Sequence, residues 1–206
     1  MGKNITLAKS RLNSPKCYPG LFHTAKFIGP YIHKSKIYVE CFAGLARTAK
    51  YARSEIIILN DTSPVSNDYC KRNFINAIVE NMDFIKTIKK YDSKDTFFLI
   101  DPPWRLSYYE GNKKFRSKIG FTKRPGEQNI TRTAKEYVLK LKEILPSLKG
   151  NWILTLGPSF HTHFKEYYTT SVKATQPHLF GYYPKTYLFS NKPLEIQILT
   201  LEKFLK

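Results

Sequence analysis

The sequence predicts an α/β domain built on a mostly parallel seven-stranded sheet, with helices on both faces and a late antiparallel strand. Three observations carry that expectation. Short apolar and aromatic runs alternate with segments of helical spacing. The central run, Thr96 to Ile100, lies between Lys94-Asp95 and two prolines, as a buried strand would. It ends on a carboxylate, Asp101, where open α/β sheets bind their ligands.

In order along the chain, Leu21 to Ile32 reads as a helix and Ile37 to Val39 as the first strand. Ala46 to Ala52 reads as helix, Glu55 to Leu59 as the second strand, and Val65 to Asn76 as helix. Ala77 to Val79 is a short third strand, followed by a helix over Phe84 to Lys89 and the fourth strand at Thr96 to Ile100. In Thr133 to Leu145, residues Ala134, Tyr137, Val138, Leu141 and Leu145 recur at helical spacing and form a core-facing stripe. Asn151 to Leu156 is the fifth strand. Tyr187 to Phe189 and Glu195 to Leu199 read as two late, antiparallel strands. No internal repeat or linker marks a second domain, so residues 1–206 are expected to form one.

The composition narrows the partners. Lys and Arg number 34 against 16 Asp and Glu, a formal charge of +18. So large an excess repels itself unless a polyanion offsets it, which points to nucleic acid. Cys17, Cys41 and Cys70 form no CxxC pair, which fits a reducing, cytoplasmic compartment and argues against a disulfide framework or a zinc site. His161 and His163 have metal-ligand spacing on a strand but no Cys or acid cluster beside them, so no metal is expected. No apolar h-region opens the chain, and no apolar run approaches the ~20 residues of a membrane span.

The chemistry-bearing residues follow strand ends. Asp101-Pro102-Pro103-Trp104 places an acid, a rigid backbone carbonyl and an aromatic plane together. The prolines lock φ and hold the preceding residues extended. That set suits gripping a flat base with an exocyclic amine. After the first strand, Glu40-Cys41-Phe42-Ala43-Gly44 lets the backbone approach a ligand and is expected to open a helix. About twenty residues on, Asn60-Asp61 closes the second strand, where an acid can bind a ribose diol. Asp61 could also cap the following helix.

These motifs, with Asn81-Met82-Asp83-Phe84 and in the order they occur, resemble the Dam-like N6-adenine DNA methyltransferases. Lys16-Cys17-Tyr18-Pro19-Gly20 is similar to that family's N-terminal cofactor motif. The likeness runs motif by motif over residues 14–104. It implies a Rossmann-like class I methyltransferase fold, S-adenosylmethionine as methyl donor and a flipped DNA adenine as acceptor. By position it implies that Tyr18, Pro19, Gly20, Glu40, Phe42, Ala43, Gly44, Asp61, Asp83 and Phe84 bind the cofactor. Glu40 to Gly44 would face its methionine end, Asp61 its ribose, and Asp83 and Phe84 its adenine. Asp101 and the Pro102 carbonyl would accept the amine hydrogens, and Trp104 would stack on the base; Pro103 completes the catalytic motif.

The chain departs from the family at several points. Ala46 stands where the second glycine of the turn is usual, Leu21 where lysine is common, and Trp104 where tyrosine is usual. The recognition region expected between the second and third motifs is absent, since only about twenty residues separate Asp61 from Asp83. Three consequences stay open. The basic, aromatic segment Arg105 to Arg132 can read the target, there can be little sequence preference, or a partner protein can supply recognition. Within that segment Arg105, Lys113, Lys114, Arg116, Lys118, Lys123 and Arg124 are the expected nucleic-acid contacts. Two alternatives stand beside DNA adenine methylation, with its link to restriction-modification: methylation of adenosine in RNA, and a non-catalytic nucleic-acid-binding subunit that keeps the fold.

Overall fold

Among the described residues, seven strands form one sheet in the order β3-β2-β1-β4-β5-β7-β6. The computed structural model describes residues 24–102, 134–173 and 185–196. The strands are β1 (Ile37–Glu40), β2 (Ile56–Asn60), β3 (Ile78–Glu80), β4 (Thr96–Ile100), β5 (Asn151–Leu156), β6 (Tyr168–Lys173) and β7 (Lys185–Ser190). Neighbours from β3 through β5 are parallel; β7 lies antiparallel between β5 and β6. Parallel pairs need crossovers. Helix α2 (Pro64–Asn73) joins β2 to β3, α3 (Phe84–Tyr91) joins β3 to β4, and α4 (Ala134–Ile144) precedes β5. A single helical turn, α1 (Ala25–Ile28), lies before β1.

All five residues of β4 are buried, as a central parallel strand requires. Successive side chains go to opposite faces. Val39, Ile58, Phe98 and Ile100 pack with Phe84 and Ile88 of α3 and Val138 and Leu141 of α4. Tyr38, Ile57, Leu59, Phe97 and Leu99 pack with Ile28 of α1 and Cys70 of α2. Each large apolar side chain so buried stabilises the fold by roughly 1.5–3 kcal/mol before entropy is counted. The sheet is therefore covered on both faces, and its ligand-binding edge is the row of strand C-termini.

Local chemistry sets the element ends. Ser63 caps α2, its Oγ accepting the Ser66 N–H, and Pro64 supplies the preformed first turn. Ser63 therefore caps this helix, not Asp61. Asp83 caps α3, accepting the Ile85 N–H at 2.9 Å. Beyond the last turn of α3, Asp92 Oδ1 accepts the N–H groups of Lys149 and Gly150, both at 3.0 Å, which registers the start of β5. A Cβ at Gly150 would lie 2.8 Å from the Thr96 carbonyl oxygen, so the close approach of β5 to β4 needs glycine.

Several expectations need correction. The helix expected over Ala46 to Ala52 is one 3-10 turn, Ala49–Tyr51, so no helix N-terminus stands behind Gly44. The helix expected over Leu21 to Ile32 breaks at Gly29-Pro30 into α1 and a 3-10 turn, Gly29–Tyr31; residues 21–23 lie outside the described residues. Strand β6 is unexpected, because Tyr168–Lys173 is mostly polar and exposed at a sheet edge and shows no apolar alternation. Conversely, Glu195 and Ile196 lie outside the sheet, while 197–199 fall outside the described residues. His161 and His163 sit on a 3-10 turn, Pro158–Phe164, not a strand, and His161 stacks on Tyr187 at 4.8 Å. Among the described residues no His, Cys, Asp or Glu cluster is placed to hold a metal, and no helix is long and apolar enough to cross a membrane.

Candidate cofactor and acceptor site

Glu40 ends β1 and is only 3% exposed. The two-residue period of a strand puts Tyr38 on the same face. The Tyr38 hydroxyl donates to Glu40 Oε1 at 2.7 Å, and Thr48 Oγ1 donates to the same oxygen at 2.6 Å. Burial pushes the Glu40 carboxyl up to about 7; the two hydroxyls oppose that rise, and the charge of Asp101 adds to it. Among the described residues no cation pairs with Glu40.

The turn after β1 is tightly wound. Ala43 N–H donates to the Asn60 carbonyl at 2.7 Å, and Ala46 N–H to the Ala43 carbonyl at 2.6 Å. Gly44 has φ 53° and Ala46 φ 46°, both left-handed. At Gly44 glycine suits that conformation; at Ala46 an alanine adopts it against steric cost.

Asp61 meets this turn from β2. Its Oδ2 accepts the Gly44 N–H and its Oδ1 the Ser63 N–H, each at 2.8 Å. Its carbonyl accepts the Asn67 and Asn81 side-chain amides, both at 2.9 Å. Burial raises the Asp61 carboxyl, while the N–H groups of Ser63 and Gly44 hold it down. The two N–H donors therefore hold the carboxylate of half-buried Asp61 in a fixed orientation.

Asn60, one residue earlier, is the strut of the site. Its amide nitrogen donates to the carbonyls of Cys41 and Met82, both at 3.0 Å, and its Oδ1 accepts the Met82 N–H at 3.0 Å. One side chain so joins the ends of β1, β2 and β3. Asp83 follows Met82 and is half-buried at the start of α3. Phe84 is buried in the core, its ring 5.1 Å from Phe42 and 5.7 Å from Tyr137. Phe42 and Phe84 form one aromatic cluster beneath the turn.

Across the strand ends, Asp101 and Pro102 follow β4. The register pairs Ile100 with Leu154, so the next residues, Asp101 and Thr155, also lie side by side. Thr155 Oγ1 donates to Asp101 Oδ1. Glu40, Ala43, Gly44, Asp61, Asp83 and Asp101 thus gather at one edge of the sheet. Tyr18, Pro19, Gly20, Pro103, Trp104, Arg105, Lys113, Lys114, Arg116, Lys118, Lys123 and Arg124 lie outside the described residues.

The sequence motifs point to neither Tyr38, Thr48 nor Thr155, and they give Asn60 no role of its own. Tyr38 carries a signal, its period-two spacing from Glu40. Thr48 and Thr155 carry none, because each meets its carboxylate through a turn or a strand register that only the fold supplies.

The strand order, with its reversed strand inserted beside the last, is that of the Rossmann-like class I methyltransferases, and the chain has that fold. Among solved structures it is similar to a precorrin-8w decarboxylase of Methanobacterium thermoautotrophicum, at 12% identity and TM-score 0.50, over 85% of this chain and 93% of that one. It is also similar to the bifunctional kinase-methyltransferase WbdD, at 12% identity and TM-score 0.50, over 84% of this chain and 40% of the larger protein. The N-methyltransferase NodS of Bradyrhizobium japonicum matches at 12% identity and TM-score 0.46, over 78% and 87%. No family model and no curated protein matches the sequence.

Proposed function

We propose that the protein transfers a methyl group from S-adenosylmethionine to the N6 amine of adenine in DNA. The observation that carries this reading is the placement of two carboxylates of different kinds at one sheet edge. Glu40 is buried without a cation among the described residues, whereas Asp101 lies on the neighbouring strand end, half-buried and hydrogen-bonded.

The described residues fit such a cofactor. A buried carboxylate held near neutral pH is stabilised by a fixed cation, and an amino-acid ammonium supplies one. Gly44 brings bare backbone to the same place, and Asp61 offers oriented lone pairs to a diol. When bound, the sulfonium supplies an activated methyl, so the chemistry asks the protein for orientation and charge placement.

The chain's own residues supply both. An adenine amine is a poor nucleophile because its lone pair is delocalised into the ring. Acceptors at Asp101 and at the Pro102 carbonyl would take its N–H groups and favour a pyramidal nitrogen with its lone pair directed at the methyl. Trp104 would receive the extruded base by stacking, offsetting part of the unstacking cost. The basic segment 105–132 would hold phosphates.

One observation favours RNA as a second substrate class. Between Asp61 and Asp83 the chain builds only α2 and β3, which leaves no separate module for reading a duplex site. The test is methyl transfer from labelled S-adenosylmethionine to duplex DNA, single-stranded DNA and RNA in parallel, followed by nucleoside mass spectrometry. N6-methyldeoxyadenosine is the expected product. Label confined to RNA would replace the substrate. Cofactor binding without transfer to any of the three would make this a binding subunit.

A further inference from the structure

The carboxylate plane of an aspartate is poorly fixed by its own rotamer, because its terminal torsion is broad. At Asp101 something else must fix it. Strand β5 provides a donor: Thr155 is fully buried, and its Oγ1 donates to Asp101 Oδ1. The donor is itself rigid. Its β-branched side chain has few rotamers on a strand. Its strand lies between β4 and β7, with Thr155 registered against Leu188. Asn191, just after β7, accepts the Trp152 N–H at 3.1 Å and donates to the Gly150 carbonyl at 3.0 Å, locking the strand lengthwise.

We propose that Thr155 is a positioning residue: its hydroxyl sets the plane of the Asp101 carboxylate and so the direction of the lone pairs that address the acceptor amine. The inference rests on the methyl-transfer reading above. Thr155 touches neither the methyl nor the base; it acts through Asp101. Glu40, on the other side of β4, feels the charge of Asp101, and the Thr155 hydroxyl anchors that carboxylate on the β5 side. A plane rotated by tens of degrees would still bind the base but would misdirect the amine, and misplacements of that order lower turnover without lowering affinity.

The test compares Thr155→Val, which keeps the shape and removes the donor, with Thr155→Ser, which restores it. Thr155→Val should lower kcat roughly ten- to hundredfold, with KM for nucleic acid and Kd for S-adenosylmethionine within about twofold. Thr155→Ser should recover most of kcat. Independently of turnover, the Asp101 carboxyl carbon resonance should move in Thr155→Val and return in Thr155→Ser. Thr155→Ala replaces Thr155→Val if the latter does not fold. Wild-type kcat and an unmoved Asp101 resonance in the hydroxyl-free variant would overturn the inference. Asp101→Ala in the same assay separates the two levels. If the wild type transfers no methyl group, the methyl-transfer reading fails; if Asp101→Ala retains transfer, the role of Asp101 fails; if Asp101→Ala is inactive while Thr155→Val is unaffected, only the role of Thr155 fails.

Discussion

Asp61 Oδ2 accepts the backbone N–H of Gly44 at 2.8 Å, tying the end of β2 to the turn that follows β1. The same carboxylate holds the Ser63 N–H through its other oxygen. Asp61→Ala would leave both donors without their acceptor and loosen the turn. It should cost about 2 kcal/mol of stability by chemical denaturation and weaken S-adenosylmethionine binding at least about tenfold by calorimetry. Asp61→Asn keeps one acceptor oxygen but sets an amide donor against one N–H, so its loss should be intermediate.

Glu40 predicts a pH dependence of definite sign. Its folded carboxyl is raised to about 7, whereas an unfolded glutamate titrates near ~4.3. Between those values the folded state holds more protons than the unfolded state, so stability falls as pH rises through the window and stays lower above it. The span is roughly 4 kcal/mol. Glu40→Gln should remove it, so the variant's advantage in unfolding free energy should grow from about pH 4 to about pH 7. Cofactor affinity should run the other way, rising with pH through about 7 in the wild type and staying weak and flat in Glu40→Gln.

Ala46 sits at a backbone angle that L-residues rarely adopt. Its left-handed φ of 46° costs an L-residue roughly 1–2 kcal/mol. Glycine would relieve that cost but lose the buried methyl and more chain entropy on folding. Ala46→Gly should therefore change stability by less than about 1 kcal/mol and leave cofactor affinity intact. Ala46→Val, β-branched at the same backbone angle, should cost roughly 2 kcal/mol or more by thermal denaturation.

On the proposed mechanism, in which the carboxylate addresses the acceptor, Asp101→Ala should abolish methyl transfer and leave S-adenosylmethionine affinity within about twofold. Paired transfer and calorimetric measurements on one preparation decide this. Retained transfer would remove Asp101 from the mechanism.

Replacing Lys113, Lys114 and Arg116 by glutamine should weaken binding to all nucleic-acid sequences alike. It should also flatten the dependence of log affinity on log salt by about one unit for each phosphate the variant no longer neutralises. Weakening confined to particular sequences in a binding titration would instead make those residues base readers.

What was legible in the sequence follows burial. Strands β4 and β5 could be bounded to the residue, because Thr96 to Ile100 and Asn151 to Leu156 are dense apolar runs between polar breaks. The positions of Glu40, Asp61 and Asp101 followed from strand ends. Strand β6 escaped because an exposed edge strand need not alternate, and residues after Gly44 looked helical because their composition suits a helix that the chain does not build. The hydrogen-bond partners of the carboxylates were illegible for a different reason. Tyr38 to Glu40 is local, but Thr155 to Asp101 spans 54 residues and depends on register.

The inserted position of β7 dictates the order in which the sheet can be completed. Among the described residues β6 pairs with β7 alone, and β7 supplies the far partner of β5. A nascent chain that has emerged only through β6 therefore holds that strand unmatched, with the buried edge of β5 open to any other strand. Everything from β3 to β5 can assemble beforehand, including Glu40, Asp61 and Asp101. The candidate site can form early, and β7, the last of the described strands, completes the sheet, so a chain ending between residues 173 and 185 would be prone to edge-to-edge association.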